Sequence, residues 1–164
     1  ADLLQALAMA RHDLPPDWCM LFAGRDDGIG AELQALGRQL DLDTHLRWLG
    51  AVQDVGPCLA AADIGILSSH EEGFSNAVLE GMAAGLPMLV TDVGGNAEAV
   101  LDGEDGYVVP ARDPAALAAR LVALARDPTQ RRRFGAAAKA RAQDCFSVDA
   151  SVSQYLQMYH KLLA

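Results

Sequence analysis

Short apolar runs alternate with helical stripes along most of this chain, and that alternation is what most restricts its fold. Trp18–Ala23, Leu46–Leu49, Ile64–Leu67, Pro87–Thr91 and Gly106–Val109 are apolar runs of strand length. Between them lie segments of helical character. Leu3–Met9 is one, residues 28–40 carry Leu33, Leu36 and Leu40 at helical spacing, and residues 54–61 centre on Val55, Leu59 and Ala60. A strand that is apolar along its whole length is buried on both faces. Such strands separated by helices predict a parallel sheet with helices on both sides, an α/β fold of Rossmann-like type. Ligands bind such sheets at the carboxyl ends of the strands. The loops there are Gly24–Gly30, Gly50–Asp54, Ser68–Asn76 and Asp92–Asn96, all rich in Gly, Ser, Asn or Asp. Polar and flexible residues therefore collect on one edge.

The C-terminal part reads as helical. Asp113-Pro114 starts one helix with Asp as cap and Pro in the first turn, and Asp127-Pro128 starts another. Leu117, Leu121 and Leu124 give the first an apolar stripe. Val152, Tyr155, Leu156, Tyr159, Leu162 and Leu163 fall at spacings that predict a mostly core-facing helix surface, part of which would be exposed where a partner domain is absent.

At 164 residues the chain is about one domain long. No apolar run reaches the roughly 18 residues of a membrane span. Asp2 and Gln5 interrupt any apolar segment at the start, so nothing there reads as a signal peptide. A net charge of −9 argues against a nucleic-acid surface. Arg131-Arg132-Arg133 reads as a solvated face. Cys19, Cys58 and Cys145 lack metal-ligand spacing and read as small buried or incidental residues in a reducing compartment, which fits the cytoplasm.

The stretch with most chemistry is Glu72-Gly73-Phe74-Ser75-Asn76-Ala77-Val78-Leu79-Glu80. Seven residues separate the two carboxylates. The turn Gly73-Phe74-Ser75-Asn76 is expected to open a helix through Glu80 to about Ala84, with Ser75 or Asn76 as cap. Free N–H groups at a helix start attract phosphate. Gly73 allows a ligand to approach the backbone. Glu72 and Glu80 can accept hydrogen bonds from hydroxyls on either side of a diphosphate. The plainer reading is an ordinary capped helix with two solvated glutamates.

With its surroundings the stretch resembles the nucleotide-sugar-binding domain of family 4 retaining glycosyltransferases (group 1), the C-terminal half of the GT-B fold. The resemblance runs roughly from Leu21 to Leu163 and rests on blocks in the family's order. These are Phe22-Ala23-Gly24, Trp48-Leu49-Gly50, Ala62-Asp63, Ser69 to Glu80, Gly85-Leu86-Pro87, Gly94-Gly95 and Asp105-Gly106-Tyr107. It implies that Glu72 lies by the donor sugar as the catalytic carboxylate, where it can stabilise charge developing at the anomeric carbon. It implies that the backbone amides of Gly73, Phe74, Ser75 and Asn76 meet the sugar and diphosphate, and that Glu80 binds the ribose. Leu49, Gly50 and Val52 match the loop beside the base; a plain strand end is the competing reading. Many relatives carry Gly at the place of Ser75 and a branched apolar residue at that of Asn76, which leaves the donor sugar open.

Relatives also place an Arg and a Lys on the loop after the domain's first strand, where they neutralise the departing diphosphate. That strand and loop belong immediately before Ala1, so the chain is expected to lack them, together with an N-terminal acceptor-binding domain. Arg25 is a candidate phosphate contact, with a surface arginine as the competing reading. Other chemistry is weak. His70 reads as a polar strand-end residue, and His12, His45 and His160 form no ligand pair. Asp41-Leu42-Asp43 reads as a cap or turn, and no metal or other cofactor is expected. Gly28-Ile29-Gly30 lacks the third glycine of a dinucleotide fingerprint.

The resulting expectation is one domain, residues 1–164, that binds a UDP- or GDP-linked sugar donor. The intact enzyme would pass the sugar with retention to a saccharide or lipid-linked acceptor held by the N-terminal domain, by a front-face or a double-displacement route. Any peripheral membrane contact would belong to that domain, no nucleic acid is expected, and this chain alone would not turn over. The alternatives are a nucleotide-sugar epimerase of the same fold and a non-catalytic sugar-nucleotide-binding module.

Overall fold

All five expected strands form and pair in parallel, but they make two sheets. The computed structural model describes residues 1–163. β1 (Met20–Ala23) pairs with β2 (Leu46–Gly50). β3 (Gly65–Leu67), β4 (Met88–Thr91) and β5 (Gly106–Val109) form the other sheet with β4 in the middle. Between β1 and β3 lies an apolar slot of about 530 Å³, lined by Met20 and Leu21 on one side and Ile64 and Ile66 on the other. α1 (Asp2–Ala10) starts beside the carboxyl end of β3, because Asp2 Oδ2 lies 2.8 Å from Nε2 of His70.

The remaining helices are α2 (Gly30–Gln39), α3 (Gly56–Ala61), α4 (Asn76–Ala83), α5 (Asn96–Ala99), α6 (Pro114–Arg126), α7 (Pro128–Phe146) and α8 (Val148–Leu163). A single 3-10 turn, Asp43–His45, precedes β2. β4 shows why its run is apolar throughout. Leu89 packs into a core with Leu4, Leu7, Leu117, Leu121 and Phe134. Its neighbours Met88 and Val90 face a second core with Val78, Met82, Val100 and Ala138. All four residues of β4 are buried, as a central parallel strand requires. β1 differs: its residues alternate between half-buried and exposed, so the expected cover on both faces is incomplete beside the slot.

Asp113 accepts from the Ala116 amide at 2.9 Å, and Asp127 accepts from Thr129 and Gln130 at 3.0 and 2.9 Å. Both caps are as expected. α4 closes with Gly85 at φ +84°, the Gly85 amide on Met82 O and the Leu86 amide on Gly81 O. That pair of bonds is the glycine-terminated helix end in which a left-handed residue satisfies the last carbonyls.

Three expectations are corrected or narrowed. α8 buries none of its residues, and its stripe from Val152 to Leu163 is 50–86% exposed. Helical spacing shows that one face is apolar and not what covers it. Arg132 and Arg133 are exposed as expected, but Arg131 is half-buried and its Nη1 donates to the carbonyls of Leu124 and Ala125 at the end of α6. Cys19 is exposed, while Cys58 and Cys145 are half-buried, and all three are free thiols. No helix among the described residues is long and apolar enough to cross a membrane.

Leu89 is fully buried between layers, so Leu89→Ala is expected to cost about 2–5 kcal/mol. Denaturant unfolding checks this, and a loss below about 1 kcal/mol would contradict the central place given to β4.

Candidate functional site

The carboxyl edge of the three-stranded sheet holds the segment between β3 and α4. Thr91, buried at the end of β4, donates through Oγ1 to Ser69 O at 2.7 Å. Ser69 Oγ in turn donates to Glu72 Oε1 at 2.8 Å. The Gly95 amide donates to Gly73 O at 2.6 Å. Gly94 has φ +52°, and a Cβ there would run into the carbonyl oxygens of Glu72 and Gly73. Only glycine meets both demands. The Phe74 ring lies over Gly95, with its centroid 5.6 Å from that of Phe146 on α7. The loops Ser68–Asn76 and Asp92–Asn96 are thus one braced unit.

Ser75 occupies the N-cap position of α4, but it makes no side-chain cap bond, and neither does Asn76. That overturns the expected cap. Leu79 N reaches Ser75 O at 3.4 Å, and the amides of Asn76, Ala77 and Val78 meet no protein acceptor among the described residues. A helix start left uncapped keeps its donors and its positive end available to an anion. Glu72 is half-buried beside this start, and Glu80 is exposed farther along α4.

The other candidates sit on the two-stranded sheet. Leu49, Gly50 and Val52 are exposed at the end of β2. Gly24 N donates to Gly50 O at 2.9 Å, which ties the loops after β1 and β2 together. Arg25 is exposed in the first of these, with no acidic partner among the described residues. No hydrogen bond or ion pair joins this pair of loops to the Glu72 loop. The structure thus places Glu72, Gly73, Phe74 and Ser75 on the loop into α4, Asn76 and Glu80 on α4 itself, and Arg25 and Leu49–Val52 on the loops after β1 and β2. His70 pairs with Asp2, as a polar residue beside the site.

Several residues that hold the site carry no role in the sequence reading. Thr91 is a lone hydroxyl ending an apolar run, which was the available signal. Asn96 is buried, donates through Nδ2 to Thr91 O at 3.1 Å and leaves Oδ1 unpartnered. Arg141 of α7 donates to Ala99 O and Glu98 O at 2.8 and 2.7 Å, which clamps α5. Its Nε is 3.8 Å from buried Asp105, whose Oδ1 accepts from Leu101 N at 2.8 Å. Burial pushes the Asp105 carboxyl above its ordinary range, against the opposing pull of the Leu101 amide and Arg141.

Comparison with known proteins shows the family of the chain. The profile of "Glycosyl transferases group 1" matches residues 1–127. The chain belongs to that family. It is 30% identical over 162 residues to the N-acetyl-alpha-D-glucosaminyl L-malate synthase of Bacillus anthracis, with 99% of this chain and 42% of the relative covered. It is 36% identical over 143 residues to the phosphatidyl-myo-inositol mannosyltransferase of Mycobacterium leprae, covering 85% and 37%. The chain thus spans about two fifths of the length of these curated relatives. Among solved structures, Anabaena Alr3699/HepE in complex with UDP superposes with a TM-score of 0.87 at 24% identity, over 98% of this chain and 44% of that one. That likeness concerns the fold, which is the one the GT-B resemblance implied.

Gly94→Ala is expected to destabilise the chain by at least about 1–3 kcal/mol, because a side chain is forced into the left-handed region against two carbonyls. Thermal melting checks this, and an unchanged midpoint would show that the braced unit yields freely. Asp105 contributes stability that is fully present below the ordinary carboxylate pKa and is lost as pH rises through its raised value. Melts of Asp105→Asn and wild type at a series of pH values should therefore shift in favour of the asparagine variant across that window. Parallel curves would contradict the assignment.

Proposed function

We propose that this chain is the donor-binding part of a glycosyltransferase that moves a sugar from a nucleotide diphosphate sugar to a saccharide or lipid-linked acceptor, with retention at the anomeric carbon. One observation carries the reading: the uncapped start of α4 lies beside a glutamate whose carboxylate the Ser69 hydroxyl holds. The uncapped amides and the positive helix end stabilise a departing diphosphate without reorganisation during the reaction. Glu72 meets the donor sugar and stabilises charge at its reacting carbon. Glu80 binds the ribose, and the backbone of Leu49, Gly50 and Val52 borders the base. Arg25, exposed on the loop after β1, is a candidate phosphate contact within this chain. The acceptor and the remaining cations come from outside it, and this chain by itself binds the donor without turnover.

The names of the relatives support a transferase. One relative is a mannosyltransferase and one a synthase, and a protein of the same fold has been solved with UDP. These names do not favour the epimerase alternative.

Calorimetric titration with UDP, GDP and ADP tests the reading and identifies the base. Glu80→Ala is expected to weaken nucleotide binding about tenfold or more, the scale of a hydrogen bond to a charged group. Unchanged affinity would remove Glu80 from the ribose site. Glu72→Gln is expected to leave nucleotide affinity near wild type and to reduce sugar transfer by the full-length enzyme about 100-fold or more. Full retained turnover would overturn its role.

A further inference from the structure

We propose that Ser69 is a positioning residue for Glu72, itself held by Thr91, so that a relay of two hydroxyls from β4 aims the carboxylate at the donor sugar. The proposal rests on reading Glu72 as the sugar contact, and it adds the groups that set its direction.

A glutamate has three rotatable bonds, and on a loop beside a cleft it loses its aim unless something fixes the carboxylate. Here the Ser69 hydroxyl donates to Oε1 at 2.8 Å. Among the described residues Oε2 has no protein donor, so it is the oxygen left for a ligand hydroxyl. Ser69 keeps its own place because Thr91 Oγ1 donates to its carbonyl at 2.7 Å. Thr91 is 4% exposed, and its carbonyl accepts from buried Asn96, so the relay starts on a rigid element. The backbone of Glu72 is pinned from the other side by Gly94 and Gly95. Main chain and carboxylate are therefore restrained independently, and only the second restraint passes through Ser69. Preorganisation of this kind favours a ligand that meets the carboxylate and is indifferent to one that does not.

The experiment compares wild type, Ser69→Ala, Ser69→Thr and Thr91→Val in this chain. NMR side-chain couplings report whether Glu72 holds one rotamer. Calorimetry reports the ratio of affinities for UDP-glucose and UDP, or for GDP-mannose and GDP if the titration above selects GDP. In Ser69→Ala the Glu72 couplings should average, and the sugar-nucleotide preference should fall about fivefold, the scale of one hydrogen bond, with nucleotide affinity unchanged. Ser69→Thr keeps the hydroxyl and should restore both readouts. Thr91→Val should move both in the direction of Ser69→Ala, and the double variant Ser69→Ala, Thr91→Val should be no worse than Ser69→Ala, because the two act along one path. A Glu72 rotamer unmoved by Ser69→Ala overturns the relay, whatever the ligands do. Averaged couplings with an unmoved affinity ratio overturn the aim at the sugar. If wild type binds no nucleotide, the donor-binding reading fails, while the couplings still decide whether Ser69 holds Glu72.

Discussion

The hydrogen bond from the Gly95 amide to Gly73 O is made where the backbone of Gly94 lies against the carbonyls of Glu72 and Gly73. This close approach fixes one carboxyl-edge loop on the other. Thr91 reaches Ser69, and Ser69 reaches Glu72, only because the loops are held at that separation. The start of α4 then emerges next to Glu72. If the glycines were replaced, the loops would part and the chemistry of the site would lose its geometry before any functional side chain had changed.

The brace is anchored in turn by burial. β4 is covered on both faces, with Leu89 in one core and Met88 and Val90 in the other. Thr91 continues that strand, so its hydroxyl is placed by the packing of three apolar neighbours. On the far side Arg141 clamps α5 through the carbonyls of Glu98 and Ala99, next to the buried carboxyl of Asp105. Functional loops on a parallel sheet gain precision from elements of this kind, which do not touch the ligand themselves.

Much of the architecture was readable from pattern. The strand at Gly106–Val109 and the caps at Asp113 and Asp127 appear where apolar runs and Asp-Pro pairs place them. Of the candidate site, the turn from Glu72 to Asn76 and the helix carrying Glu80 were legible as one block. The cap on α4 was not, because a Ser or Asn beside a helix start has the right chemistry whether or not its side chain turns inward. The stripe of α8 was misread for a similar reason: periodicity marks a face, and burial depends on what lies opposite. Arg131 joined the carbonyls of α6 because the turn between α6 and α7 folds it back, a contact no local pattern announces.

By itself the sequence determined the alternation of strands and helices, the edge on which polar loops collect and the order of the carboxylates within their block. These follow from local periodicity and residue chemistry, which act over a few positions. The tertiary structure alone decided that the sheet is split by an apolar slot, that Glu72 is held through Ser69 and Thr91, and that α4 begins uncapped. Each of these depends on contacts between segments distant in sequence, such as Ser69 with Thr91 or Ala99 with Arg141. Contacts of that kind form only once the packing of both cores has set where each loop ends.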